Sequence, residues 1–253
     1  MIKRLFAFIF VFTSLLAFSK DKIRFAVIIS ANAEWKVVKK LYPNEPYSKS
    51  PWGEYLFKEI AKEKVLIFQE GWGKVAAAGA TQYVIDQFHP QVLINLGTCG
   101  GFEGNIERGD IVLVDRTIIY DIIEAMGDSK EAIADYSTTI DLAWLKQPYP
   151  TKVIKTTLVS ADRDLKPDQI ESLKKEYNAI AGDWESGAIA YVATRNKTKV
   201  LILRGVTDVV STAKGEAYGN IELFAQRTEE IMTKLFQDLP KWIEMIQKTS
   251  ATK

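Results

Sequence analysis

Short apolar runs alternate with longer amphipathic stretches along most of the chain. Residues 24–30 (RFAVIIS), 65–69, 92–96, 111–114, 153–159 and 200–206 are rich in β-branched side chains. Several are apolar on both faces, as expected for strands buried inside a layered α/β protein. Between them, residues 74–88, 167–177 and 186–196 carry apolar positions at helical spacing, and an amphipathic stretch over 221–247 closes the series. Pro240 marks the place in that last stretch for a bend or break. The 74–88 segment opens with Gly71-Trp72-Gly73 and contains Ala76, Ala77, Ala78, Gly79 and Ala80, small enough for close helix–sheet packing. No internal repeat or Pro/Gly/Ser linker divides the chain. The pattern predicts a single α/β domain, a three-layer α/β/α sandwich with a central mixed sheet.

The amino-terminal residues follow a different pattern. Lys3 and Arg4 precede an apolar run, residues 5–18, interrupted only by Thr13 and Ser14, and Ala17-Phe18-Ser19 supplies small residues at a cleavage position. The run falls short of the roughly 20 residues that span a bilayer. Residues 1–19 are therefore expected to be a signal peptide, with an uncleaved anchor as the alternative, and residues 20–253 to form the domain. An exported protein, periplasmic or secreted, with no stable membrane insertion after cleavage, is the corresponding expectation.

Composition narrows the chemistry. The 253 residues are 47% hydrophobic, enough for one sizeable core. A net charge of +1 gives no basic surface for nucleic acid. With one cysteine, Cys99, and one histidine, His89, the chain has no internal disulfide, cysteine cage or paired-histidine metal site, and a Ser-His-Asp arrangement is disfavoured. His89, just before Pro90, reads as a loop residue. Catalysis would fall to carboxylates, with no metal and no cofactor expected.

Four stretches place polar groups at the ends of buried runs. Asn95-Leu96-Gly97-Thr98-Cys99-Gly100-Gly101-Phe102 follows a strand and reads as a glycine-rich turn, either a ligand-facing loop or a tight turn only. Its spacing matches neither the dinucleotide fingerprint nor the P-loop. In Gly182-Asp183-Trp184-Glu185-Ser186 a strand gives way to a helix, and the acids with the tryptophan suit either a sugar or helix capping. Arg204-Gly205-Val206-Thr207-Asp208 ends another run. Its aspartate is either a partly desolvated acid or the partner of Arg204 in an ion pair. After the first run comes Ser30-Ala31-Asn32-Ala33-Glu34, where Glu34 is either an acid that activates water or a first-turn helix residue.

Taken together, and in this order, these stretches resemble the nucleoside phosphorylase superfamily, and within it the 5′-methylthioadenosine/S-adenosylhomocysteine nucleosidases. The likeness also includes Gly73-Lys74-Val75-Ala76-Ala77-Ala78, Arg108-Gly109-Asp110-Ile111-Val112 and Val159-Ser160-Ala161-Asp162. The resemblance implies Asp208 as the general acid that protonates the five-membered ring of a purine, and Glu185 as the carboxylate holding the ribose hydroxyls. Glu34 is similar to the acid that positions the attacking water, although it stands one place early. Trp184, Thr98, Gly100 and Leu165 fall where the family lines its nucleoside pocket. Asp164 stands where an aromatic usually stacks on adenine, and Trp184 replaces a methionine.

The implied partner is a small-molecule purine nucleoside, and a homo-oligomer, a dimer, is implied by the family. Phosphorylases of the superfamily carry a glycine-aspartate-proline stretch after the first strand, where this chain has Ser30 to Glu34. A carboxylate there would repel phosphate, so hydrolysis is favoured over phosphorolysis. The rival readings are a phosphate-dependent phosphorylase and a non-catalytic, exported nucleoside-binding protein.

Overall fold

The computed structural model describes residues 23–250; the expected signal peptide, residues 1–19, lies outside the described residues. Ten strands pair into one sheet. They are β1 (Phe25–Ser30), β2 (Ser48–Lys49), β3 (Glu54–Ile60), β4 (Glu63–Gly71), β5 (Val92–Phe102), β6 (Ile111–Ile119), β7 (Thr138–Thr139), β8 (Ile154–Ser160), β9 (Ala179–Asp183) and β10 (Lys199–Val210). Six helices accompany them: α1 (Asn32–Leu41), α2 (Gly73–Phe88), α3 (Ser129–Tyr136), α4 (Ile170–Tyr177), α5 (Ser186–Arg195) and α6 (Ile221–Ser250).

The runs that are apolar on both faces occupy the middle of the sheet. β4, β1, β5 and β10 lie side by side and parallel, and nearly every residue of β1 and β5 is buried. Alternate residues of these strands feed two separate cores. Val27, Ile94 and Leu203 pack with Trp35 of α1 and Leu235, Trp242 and Ile243 of α6. Ala26, Leu93 and Ile202 pack with Ala77 and Ala80 of α2 and Ile189 and Ala193 of α5. One helical layer on each face of a mixed sheet is the expected sandwich.

The sheet also closes at one end. β5 pairs with β9, β9 with β8, β8 with β6, β6 with β10, and β10 returns to β5. Strand β5 therefore bonds β10 along its whole length, β1 over residues 92–96 and β9 at Gly100 and Gly101, which requires more strand than residues 92–96 provide. The expected glycine turn is corrected accordingly: Gly97, Thr98, Cys99, Gly100 and Gly101 continue β5 to Phe102. Their small size accommodates neighbouring side chains, because a Cβ at Gly100 would lie 3.0 Å from Leu165 and one at Gly101 2.6 Å from Ile106.

The break considered at Pro240 does not occur. α6 runs through Pro240 as one helix; Leu239, Trp242 and Ile243 are anchored in the core on both sides of it, and that burial outweighs one missing backbone donor. The strands β2, β3 and β7 and helix α3 carry too many polar or exposed positions to stand out as apolar runs. His89 takes the left-handed cap position at the end of α2 (φ 49°). Among the described residues no helix is long and apolar enough to cross a membrane.

Candidate active site

The carboxyl ends of the central strands gather the polar residues. Arg204 of β10 is their hub, 1% exposed. Its Nε lies 2.9 Å from Asp183 Oδ2 and donates to Ser186 Oγ at 2.9 Å; its Nη2 is 3.8 Å from Glu185 Oε2. The ion pair considered between Arg204 and Asp208 is thus corrected: Arg204 turns toward the β9–α5 junction. Burial works against a charged guanidinium, but Asp183, Glu185, Glu70 and Glu34 outweigh it. Gly97 makes the arrangement possible, since a Cβ there would lie 1.9 Å from Arg204 Nη1.

Asp183 plays the structural part. It accepts from Ser160 Oγ at 2.6 Å and from the Ser186 backbone N–H at 3.2 Å, which starts α5. Glu185 does something else. It sits at the α5 cap position without capping that helix, and its Oε1 accepts the Gly73 N–H at 3.1 Å, satisfying an orphan donor of α2. Gly73 adopts φ +80°, and a Cβ there would meet Asp162 Oδ1 at 2.8 Å. Burial first, then the nearby Asp183 and Glu34, push the Glu185 carboxyl up to about 8 against the opposing pull of Arg204 and the Gly73 bond.

Glu34 arrives from the other helical layer, in the first turn of α1. It is 4% exposed, and its Oε1 accepts from Thr98 Oγ1 at 2.6 Å. Burial raises its carboxyl, with the Thr98 bond opposing. The turn that delivers it is strained: Ala31 sits at φ 61°, ψ 165°, a region that favours glycine.

Asp208 forms a second corner on the same strand ends. It stands opposite Gly100, which in turn pairs with Gly182 of β9. A bulge between Val206 and Asp208 leaves Thr207 as the extra residue, and Thr207 Oγ1 donates to Asp208 Oδ1 at 2.9 Å. Burial raises the Asp208 carboxyl, opposed by Thr207 and Arg227. Leu165 covers this corner, against both Gly100 and Gly182, and Asp164 beside it is exposed. Trp184 is half-buried, its ring 5.5 Å from that of exposed Trp72.

Along the carboxyl half of β5, Glu34 thus bonds Thr98, Asp208 stands opposite Gly100 with Leu165 against that glycine, and Glu185 lies 3.8 Å from Arg204, the residue opposite Gly97. A sequence model described as the phosphorylase superfamily matches residues 24–239. The chain belongs to the phosphorylase superfamily. The 5′-methylthioadenosine/S-adenosylhomocysteine nucleosidase of Aeromonas salmonicida is 26% identical over 228 residues, covering 84% of this chain and 98% of that protein. The protein of the same name from Tolumonas auensis is 26% identical over 199 residues, covering 74% and 86%. The crystal structure of S-adenosylhomocysteine nucleosidase from Streptococcus pyogenes in complex with 5-methylthiotubericidin shares the fold. Its TM-score is 0.70 at 20% identity, with 89% of this chain and 98% of that one covered.

This phosphorylase-superfamily site contains residues that sequence reading passed over. Glu70 is fully buried near the end of β4, one residue beyond the apolar run 65–69. Tyr218 donates to the Leu165 carbonyl at 2.6 Å and ties the Leu165 loop to the Asp208 corner; nothing in its sequence neighbourhood signals that contact. Among the described residues no group of three or more His, Cys, Asp or Glu is arranged to hold a metal ion.

Proposed function

We propose that this protein is a purine nucleosidase that hydrolyses the N-glycosidic bond of a nucleoside of the 5′-methylthioadenosine/S-adenosylhomocysteine type. What supports the reading is that Glu34, Glu185 and Asp208 each neighbour the carboxyl half of β5, through Thr98, Arg204 and Gly100 respectively. The names of the relatives support the same substrate class.

Cleavage of the glycosidic bond builds positive charge on the sugar and negative charge on the departing base. Asp208, its carboxyl raised by burial, is suited to hold a proton and give it to the five-membered ring of the purine, so the base leaves neutral. Glu185 accepts hydrogen bonds from the ribose hydroxyls. Water attacks C1′ on the face opposite the base; its oxygen bonds to the sugar and its proton passes to Glu34. Burial makes Glu34 a stronger base than an ordinary carboxylate. Thr98 holds Glu34 in place, and Leu165 and Trp184 shape the pocket.

The test is incubation with methylthioadenosine, S-adenosylhomocysteine, adenosine and inosine, with and without phosphate. Free base and free sugar without phosphate are expected. Sugar phosphate formed only with phosphate would replace hydrolysis by phosphorolysis, and tight binding without turnover would leave a binding protein. Export and dimerisation are further parts of the proposal, checked by amino-terminal sequencing of the secreted chain and by sedimentation.

A further inference from the structure

One buried acid of the site has no role in that mechanism. Glu70 is fully buried, and neither carboxyl oxygen has a hydrogen-bond partner. A bulge puts it there: Ile29 stands opposite Gln69 and Ser30 opposite Gly71, so Glu70 is the extra residue of β4, and bulges re-aim side chains. Glu185 and Arg204 are the main charges acting on it, and the Ser30 hydroxyl lies close enough to pull its carboxyl back down without making a well-formed hydrogen bond. Three more buried polar atoms of this cluster also lack a hydrogen-bond partner: Ser30 Oγ, Glu34 Oε2 and Arg204 Nη2. Orphaned polar atoms are costly to bury, and several together imply a polar guest.

We propose that Glu70 selects the acceptor: with Ser30 and Glu34 it positions a neutral water beside Arg204 and denies that place to phosphate. The inference rests on the hydrolytic reading above. A water has two protons and two lone pairs, and the orphaned atoms offer both donors (Arg204, Ser30) and acceptors (Glu34, Glu70). Phosphate finds no uncompensated positive charge there. Arg204 faces four carboxyl groups, those of Asp183, Glu185, Glu34 and Glu70. Even with Glu34, Glu70 and Glu185 all protonated, the Asp183 carboxylate balances Arg204 and leaves no net positive charge to hold an anion. Burial and the neighbouring Glu185 favour the protonated form of Glu70, so its charge is suppressed while its shape and hydrogen-bonding atoms remain.

The test compares wild type with Glu70→Ser, Glu70→Gln and Glu70→Asp, measuring base release with and without inorganic phosphate. Glutamine has the shape of a protonated carboxyl and is expected to keep kcat within about threefold, whereas serine should lose at least about tenfold in kcat with little change in KM. Inorganic phosphate should raise the unfolding temperature of Glu70→Ser and inhibit its hydrolysis, and do neither to wild type. Should serine prevent folding, aspartate withdraws the carboxyl by one methylene and is expected to show the same loss in kcat. A serine variant with wild-type kcat and no response to phosphate overturns the role of Glu70 alone. A wild type that releases base only with phosphate overturns the hydrolytic reading itself, whatever the variants do.

Discussion

Replacing Gly97 by alanine tests whether this glycine exists to seat Arg204. An added Cβ would lie 1.9 Å from Arg204 Nη1 and 2.9 Å from its Cζ. The guanidinium has nowhere to go, because its Nε is fixed at 2.9 Å to both Asp183 and Ser186. Overpacking alone costs about 1–3 kcal/mol. Displacing the guanidinium also leaves buried carboxylates uncompensated, and breaking such a pair costs about 3–5 kcal/mol. The larger range is expected here. For a domain of this size it corresponds to a fall of about 6–20 °C in unfolding temperature, read by thermal and urea denaturation. Gly104→Ala is the control: φ is +79° and nothing lies within 4 Å of the added Cβ, so backbone strain of about 1–2 kcal/mol is all it should meet. If Gly97→Ala costs no more than the control, the seat explanation is wrong.

Asp208→Asn should lower kcat by about 10²–10⁴ with KM little changed; steady-state kinetics showing an unaltered rate would remove Asp208 as the acid. Ala31→Gly relieves a backbone conformation that costs alanine about 1–3 kcal/mol, so the urea midpoint should rise, and a fall would mean the strain is not there. Burial raises the Glu34, Glu70 and Glu185 carboxyls, so the folded protein holds protons that the unfolded chain releases. Their contribution to stability is complete below the ordinary value of 4.5 and is lost as pH rises, toward about 8 for Glu185. Glu185→Gln should therefore flatten the decline in unfolding free energy between those pH values, measured by urea titration; an unchanged slope would contradict the raised carboxyl.

The central strands and the helices α2, α5 and α6 were legible because burial leaves a local mark. A strand covered on both faces, such as β1, is apolar on both, as Phe25 to Ile29 are, and a helix lying on a sheet must repeat its apolar residues with its own period. Strand β3 escaped notice, with EYLFKEI only half-buried. The glycines of β5 misled for the same reason: a local reading knows that glycine favours turns, and cannot know that an arginine 107 positions later needs the space.

Sequence alone determined the layered α/β class and the family likeness, since each is written in consecutive residues. Only tertiary structure decided which charges meet. Arg204 chose Asp183 over Asp208, Glu185 turned to Gly73 instead of its own helix, and a bulge carried Glu70 into the cluster. Electrostatic partnership depends on distance through a desolvated interior, and that distance is set by the pairing of strands remote in sequence.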